Sequence, residues 1–313
     1  LRATPGVKQA ELAGSYRRAR ETVGDLDILV EAASPEAAMD RFTTYPEVQQ
    51  VLAKGETKSS VLLKAGIQVD LRVVPAESFG AALQYFTGSK EHNIVLRKIA
   101  QAKGLKVNEY GVMRGETSVA GRTVPEVYAA LGLAWIPPEL REDRGEVERA
   151  VAGELPRLVE RGDIRGDLHN HSTWSDGVHS VAEMAAAAQA LGYEYLALCD
   201  HSKRLTIANG LDEKRLAAQI EEIDRLNAGL KGFRLLKGSE VDILEDGTLD
   251  LSDDILKQLD LVVVSVHSKF NLSREKQTER VLRALDHPAT SILAHPTGRL
   301  ILEREPFEID IPR

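Results

Sequence analysis

Cysteine is almost missing: Cys199 is the only one in 313 residues. A disulfide framework within the chain and a cysteine-rich zinc finger are therefore excluded, and this usage suits a reducing compartment. Aromatic residues make up only 5 %, against 43 % hydrophobic residues overall, so the cores must rest on Leu, Val, Ile and Ala. No apolar run approaches the roughly 20 residues that span a bilayer. No secretory signal pattern opens the chain. Histidine is scarce as well, at 8 residues, which makes its placement informative.

This length allows about two domains at roughly 100–200 residues each. The chain starts at Leu1 without Met, and FEIDIPR at 307–313 stops where a further element is expected, so a fragment is expected. Charge divides unevenly. Residues 1–143 carry 18 Lys and Arg against 18 Asp and Glu, so the whole net charge of −8 lies after residue 143. A nucleic-acid binder is usually basic. Either the acidity serves solubility or bound divalent cations offset part of it.

Periodicity orders the elements. ELAGS reads as a strand entering a Gly-Ser turn, RRARETV as helix-prone, and DLDILV as a strand. SSVLLKAG and IQVDLRVVP form a hairpin around a Gly turn. NIVLRKIAQAKG (93–104) has helical periodicity and ends at a glycine cap. IPPELRE (136–142) breaks the pattern with two prolines. After it REDRGEVERAVAGELPRLVERGD is charged and helix-prone, and a linker is expected over 142–163. Short apolar strands then alternate with helices: VAEMAAAAQALGY and DEKRLAAQIEEIDRLNAGL helical, EYLALCD, FRLLKGSEVDIL, LDLVVVSVH and TSILAHP extended. That alternation argues for βα units with parallel strands. Polar residues close these strands, where barrel-type α/β proteins build their active sites.

Two groups of residues carry chemistry. In the first, Asp25 and Asp27 lie at i and i+2, on one face of a strand. Asp70 sits on a second strand. Three carboxylates on neighbouring strands can hold two Mg²⁺ ions, which prefer oxygen ligands and can stabilise attacking and leaving oxygens in phosphoryl transfer. Gly14 and Ser15, followed by Arg17 and Arg18, offer close backbone, a hydroxyl and cations for a triphosphate. The alternative is a surface strand with alternating acids beside a common turn.

GSYRRARETVGDLDILV resembles the nucleotidyltransferase motif of X-family DNA polymerases, the family of DNA polymerase beta. VDLRVVP resembles the family's third-aspartate strand, YFTGSKEHNIVLRKIAQAKGLKVNEYGV its nucleotide-binding thumb, and IPPELRE the end of its core. The resemblance implies that Asp25 and Asp27 bind both metals and that Asp70 binds the catalytic one. It implies that Ser15, Arg18 and Gly24 contact the incoming triphosphate, with Gly14 beside them. Tyr85, Phe86 and Gly88 would line the sugar pocket, Asn93 would reach the base edge, and Arg97 the template strand. Ala19 replaces a frequent glycine, and Lys90 stands where polymerase beta has an acid. The family's N-terminal lyase-like domain and fingers are absent from the sequence. Solvated helix surface for Arg97, and ordinary core for Tyr85 and Phe86, are the other readings. His92 is expected to be an exposed loop histidine without a role.

The second group begins in RGDLHNHSTWSDG and extends to the last predicted strand: His169, His171, Asp176, His201, Glu240, His267 and His295. Imidazole and carboxylate suit Zn²⁺, Mn²⁺ or Fe²⁺, and H-x-H on one strand points both rings the same way. Taken singly, each residue could be an ordinary hydrogen-bonded histidine or acid, and His179 and His287 stay in that class. Cys199, inside LALC, is expected in the core. The series DLHNHSTWSDG, LCDHS, GSEVDI, SVHS and AHPTGR resembles the PHP domain (polymerase and histidinol phosphatase), a distorted (β/α)₇ barrel with a trinuclear metal centre. That resemblance implies a first metal on His169, His171 and Glu240. A second would lie on Glu240, His267 and His295, and a third on Asp176 and His201. Two further ligands would come after residue 313, so a part-built site is expected. Clustered divalent ions lower the pKa of a shared water and offset phosphoryl charge. Lys269 and Arg299 are candidates for phosphate contact, or solvated surface charges. Asp167 is expected to be structural.

Together these readings give a two-domain fold, α/β and α+β: a nucleotidyltransferase palm with thumb (1–141), a linker (142–163) and an incomplete PHP-type distorted (β/α)₇ barrel (164–313). The implied function is a gap-filling DNA repair polymerase with a Mn²⁺-dependent 3′–5′ exonuclease or phosphoesterase. Mg²⁺ or Mn²⁺ would serve the polymerase site, and up to three Mn²⁺ or Zn²⁺ ions the PHP site. Expected partners are gapped or primer–template DNA and dNTPs, with no membrane, for a monomer in the cytoplasm on the nucleoid. Three rivals are a phosphoesterase of small phosphate esters with a degenerate front half, a template-independent nucleotidyltransferase, and a DNA-binding scaffold with structural metals.

Overall fold

In QVDLRVV, Val69, Leu71 and Val73 are buried while the residues between them are half-exposed. This period of two is that of a strand with one face on a core. The computed structural model, which describes residues 1–311, places it in the first of two units, Leu1–Arg157. The unit's main sheet comprises β1 (Val7–Leu12), β2 (Asp25–Ala32), β3 (Val48–Lys54), β4 (Lys58–Leu63) and β5 (Gln68–Val74), in the order β1-β2-β5-β4-β3. The expected hairpin is β4–β5, antiparallel, with Gly66 at φ +81° in its turn. β2 and β5 pair in parallel, with Asp27 opposite Asp70. RRARETV departs from expectation. Helix α1 (Gly14–Arg17) is a single turn, and Ala19 at φ +53° enters the left-handed region that ends a helix. Helix α2 (Glu36–Thr43) packs Met39 and Phe42 with Val30, Val61 and Leu71.

Helices α3 (Phe79–Thr87) and α4 (Lys90–Ala102) lead to a small sheet of β6 (Lys106–Asn108), β7 (Gly111–Arg114) and β8 (Thr117–Ala120), then α5 (Val124–Ala130). α4 begins three residues before the expected Asn93. Ser89 caps it, its hydroxyl accepting from the His92 amide at 3.2 Å, and a serine N-cap stabilises a helix by about 1 kcal/mol. The stretch 142–163 is not simply a linker. Helix α6 (Glu146–Ala152) buries Val147 and Ala150 in the cluster that holds Leu96, Val127 and Tyr128. These residues belong to the first unit, and the division falls between Arg157 and Leu158.

The second unit alternates β9 (Gly166–Asn170), α7 (Val181–Ala190), β10 (Tyr195–Leu198), α8 (Glu213–Asn227), β11 (Arg234–Asp242), α9 (Asp253–Leu256), β12 (Leu261–Ser265), α10 (Arg274–Leu285) and β13 (Thr290–Leu293). Its five strands are all parallel and lie in sequential order. LVVVS is buried throughout, as parallel strands covered on both faces require. Val262 and Val264 pack on Leu216, Ile220 and Val281, whereas Val263 faces Ala197, Cys199 and Ala294. Helices on one face of a sequential parallel sheet, and small apolar side chains on the other, form the wall of a barrel. Five strands of that wall lie among the described residues, against seven in the resemblance. No helix among them is long and apolar enough to cross a membrane.

Candidate active sites

The first site grows from the β2–β5 pairing. Asp25 and Asp27 share a face of β2, and Asp70 lies across from Asp27. Burial raises the Asp27 pKa, and the charges of Asp25 and Asp70 add to this against Arg72 and Lys58. Burial acts upward on Asp70 too, but hydrogen bonds from Gln68, at 2.9 Å, and from Ser60, with Lys58 at 3.5 Å, hold its carboxyl below the usual range. The donor set is all oxygen, crowded and repulsive. It fits hard divalent cations, whose charge would relieve that repulsion.

Gly14 shows how tightly the adjoining turn is built. Its φ is +62°, and a Cβ there would lie 2.4 Å from Asp27 Oδ2, so only glycine lets the backbone meet the acid. A cleft of about 350 Å³ gathers Gly14, Ser15, Arg18, Asp25, Asp27, Tyr85, Phe86, Gly88, Lys90, Asn93 and Arg97. Of the residues expected here, Asp70 stands beside the cleft on β5, and Gly24 is exposed outside its lining. Three side chains are already engaged. Arg18 donates from Nε to Glu142 at 2.8 Å and from Nη1 to the Thr87 carbonyl. Asn93 donates to the Tyr85 carbonyl at 2.8 Å and accepts from Gln84 at 2.7 Å. Phe86 lies under the Arg72 guanidinium, 4.1 Å away.

His92 is not the exposed loop residue expected from the sequence. It is fully buried on α4, with Nδ1 2.6 Å from Glu146 and Nε2 2.9 Å from the Tyr128 hydroxyl. Burial lowers the imidazole pKa despite the glutamate. The neutral ring then donates to Glu146 and accepts from Tyr128, whose own pKa burial pushes up to about 12. A signal was present: His92, Leu96 and Ala100 fall on one helical face, and all three are buried.

The second site centres on Glu240, 2 % exposed at the end of β11. Five imidazoles surround it. On one oxygen, His201, His169 and His171 approach at 3.0, 3.2 and 3.4 Å. On the other, His295 and His267 approach at 2.8 and 3.3 Å. Asp176 lies 3.2 Å from His171 Nδ1 and 3.5 Å from His201 Nε2. All seven residues expected here therefore converge. Three sets could each hold an ion: His169, His171 and Glu240; His171, Asp176 and His201; and His201, Glu240 and His267. Burial opposes ionisation of Glu240, but its histidine partners outweigh that and hold its pKa far below the usual carboxylate range. His267 is raised to about 9: burial acts downward, but Asp242 and Glu240 overcome it. His171 and His201 each bury an Nδ1 that makes no well-aligned hydrogen bond yet lies within 3.2 Å of a carboxylate oxygen. Ring nitrogens gathered with carboxylate oxygens in this way fit N/O-liganded divalent metals.

The supporting residues were less visible from the sequence. Asp200 is fully buried. It accepts from the amides and hydroxyls of Ser172 and Ser175, and from Gln219 Nε2 at 2.5 Å. It thereby ties the loop carrying His171 and Asp176 to the strand end carrying His201. Asp242 Oδ1 lies 3.2 Å from His267 Nδ1, the outer-carboxylate arrangement that orients ligating histidines. Asp167 accepts from the His169 amide at 3.1 Å. Lys269 is paired with Glu245 at 3.3 Å. Cys199 is buried, its thiol pKa pushed up to about 12 by burial.

Comparison with known proteins matches two families. Residues 82–142 match the DNA polymerase beta thumb, and residues 167–296 match the PHP domain. Over 304 residues, 96 % of this chain, the sequence is 48 % identical to "DNA polymerase/3'-5' exonuclease PolX" of Bacillus subtilis (strain 168), of which 53 % is covered. Proteins named "Probable phosphatase" are similar over the second half. The one from Thermoanaerobacter sp. (strain X514) is 32 % identical over 135 residues, and that from Acetivibrio thermocellus is 34 % identical over 134, each 42 % of this chain and 53 % of the relative. The chain thus spans about half the length of the curated relatives it matches. A segment matching the polymerase beta thumb followed by one matching the PHP domain, with 48 % identity to the Bacillus subtilis protein running through both, is what this chain shares with known proteins.

Proposed function

We propose that the first unit adds nucleotides to a DNA 3′ end to fill short gaps, and that the second removes them as a 3′–5′ exonuclease or phosphoesterase. The observation that carries this is the joint presence of two clusters: Asp25, Asp27 and Asp70 at the thumb cleft, and five histidines with Asp176 around Glu240. The three aspartates would hold two Mg²⁺ or Mn²⁺ ions, and the second cluster up to three Mn²⁺ or Zn²⁺ ions. Bound there, the ions supply Lewis acidity and neutralise phosphoryl charge.

The side chains position the substrates. Gly14, Ser15 and Arg18 face the triphosphate, with Gly24 at its outer edge. Tyr85, Phe86 and Gly88 take the sugar. Asn93, braced by Gln84, turns its remaining amide hydrogen to the base edge, and Arg97 meets the template. In the second unit, Glu240 holds the histidine ring together while Asp200 and Asp242 orient His201 and His267. Expected partners are gapped or primer–template DNA and dNTPs, for a monomer working in the cytoplasm on the nucleoid.

The test is 5′-labelled gapped DNA incubated with the full-length protein and Mn²⁺, with and without dNTPs. Extension in one arm and shortening in the other are expected. Absence of both products would overturn the reading. Phosphate release from small esters without DNA shortening would favour a second reading, phosphoester hydrolysis, which the likeness to the probable phosphatases supports.

A further inference from the structure

Arg18 lines two neighbouring clefts of the first unit, and its guanidinium is tethered between them. Nε–H points to Glu142 and an Nη1 hydrogen to the Thr87 carbonyl. The ion pair is shielded, with the side chains only 14 % and 18 % exposed. A guanidinium carries five donors in one rigid plane. Bonds from Nε and Nη1, which sit on different edges of that plane, fix its orientation and leave the Nη2 hydrogens as the open edge.

Glu142 is itself held in place. Its neighbour Arg141 is 1 % exposed. Arg141 donates from Nε to the Ile136 carbonyl at 2.9 Å, and its carbonyl accepts from the Ser89 amide at 3.0 Å. Four residues beyond Glu142, Glu146 grips buried His92. The segment 141–146, which spans the expected start of the linker at 142, is therefore bolted to the Gly88–Ser89 turn and to α4.

We propose that Glu142 is a positioning residue for the incoming nucleotide: it fixes the plane of Arg18 so that the guanidinium's open edge meets the triphosphate. The proposal rests on the reading of this cleft as a nucleotide site. Glu142 has two opposed effects. It orients Arg18, which favours binding, and it cancels part of the arginine's charge, which disfavours it.

Two substitutions separate these effects. Glu142→Gln keeps an acceptor for Nε–H and removes the charge. Glu142→Ala removes both. The measurement is steady-state gap filling by the full-length protein on gapped DNA with Mg²⁺ and varied dNTP, with melting temperatures as the folding control. For Glu142→Ala the dNTP KM rises about tenfold while kcat stays within about twofold, the signature of lost uniform binding. For Glu142→Gln the KM returns to the wild-type value or below it. A purely structural role would lower the melting temperature and give no such split. If Arg18→Ala raises KM but Glu142→Ala does not, or if the Gln variant behaves like the Ala variant, the proposal is overturned and the nucleotide site stands. If Arg18→Ala also leaves KM unchanged, the reading of the cleft falls with it.

Discussion

The two candidate metal clusters are built in opposite ways. In the first unit three carboxylates crowd neighbouring strands without an imidazole among them, and one of them, Asp27, is pushed toward protonation by burial and by the other two. In the second, a single carboxylate is ringed by histidines and held firmly ionised. Repulsion left unresolved in the protein suits a site that takes up hard cations together with a polyanionic substrate, because both arrive to settle the charge. A buried carboxylate ringed by imidazole nitrogens suits resident transition-type ions. Rigidity follows the same division. Glu240 and its supports are buried and bonded to their neighbours. The aspartate cleft is open at one side and borrows its order from Glu142 and Gln84.

The sharpest way to break this comparison is to disable one site and read the other. Asp27→Asn should lower gap extension at least about a thousandfold, since even one lost transition-state charge clamp costs about 10²–10³ in rate, while primer shortening continues at its wild-type rate. A common loss of both would mean the sites are not independent. Glu240→Gln is the converse. Bound Mn²⁺ or Zn²⁺, measured after loading and dialysis, should fall by at least one equivalent, and shortening should drop at least about a hundredfold, with extension unchanged. Asp200→Asn tests the support and not the ring. Outer partners of this kind typically contribute about 10–100-fold in metal affinity. Titration calorimetry should show that loss with the five histidines intact, and unaltered affinity would reduce Asp200 to a folding residue.

What the sequence disclosed, and what it withheld, tracks the range of each interaction. DLDILV and VDLRVV carry their strand character in adjacent residues, so Asp25, Asp27 and Asp70 were legible as a set. H-x-H and the strand-closing Glu240, His267 and His295 were legible because parallel strands deliver their ends to one rim. Long-range partners were not. The environment of His92 is made by Tyr128 and Glu146, 36 and 54 residues away, and nothing local announces them. Asp200 reads as one more strand-end acid until Ser172, Ser175 and Gln219 surround it. The helix in the supposed linker was legible as helix-prone sequence, but its anchoring was not: Glu146, Val147 and Ala150 turn inward onto partners distant in the chain. RRARETV was helix-prone in composition, yet one left-handed residue, Ala19, stops it after a turn.

The smallest expected effect, acid sensitivity of the first unit, sharpens the comparison from the side of stability. His92 has a folded pKa below its ordinary 6.5, chiefly through burial, so the unfolded chain binds more protons than the native one once pH falls below that value. Stability must then decline with falling pH in that window. Glu146 works in the same direction. Burial would raise its pKa, but the His92 hydrogen bond and the amides of Arg144 and Asp143 hold it below 4.5, so its contribution is present above that value and lost as pH drops through the folded pKa. Acid should therefore loosen α4 and α6 together, beginning below about pH 6.5. Hydrogen exchange of their amides should accelerate together between pH 6.5 and pH 4. His92→Gln keeps a donor for Glu146 but cannot take up the proton. It should flatten the upper part of that decline, with a change of about 2–4 °C in melting temperature at most, the shift expected for about 1 kcal/mol in a unit of this size. If the variant melts with the same pH profile as the wild type, the neutral imidazole between Tyr128 and Glu146 is not what makes this unit acid-sensitive.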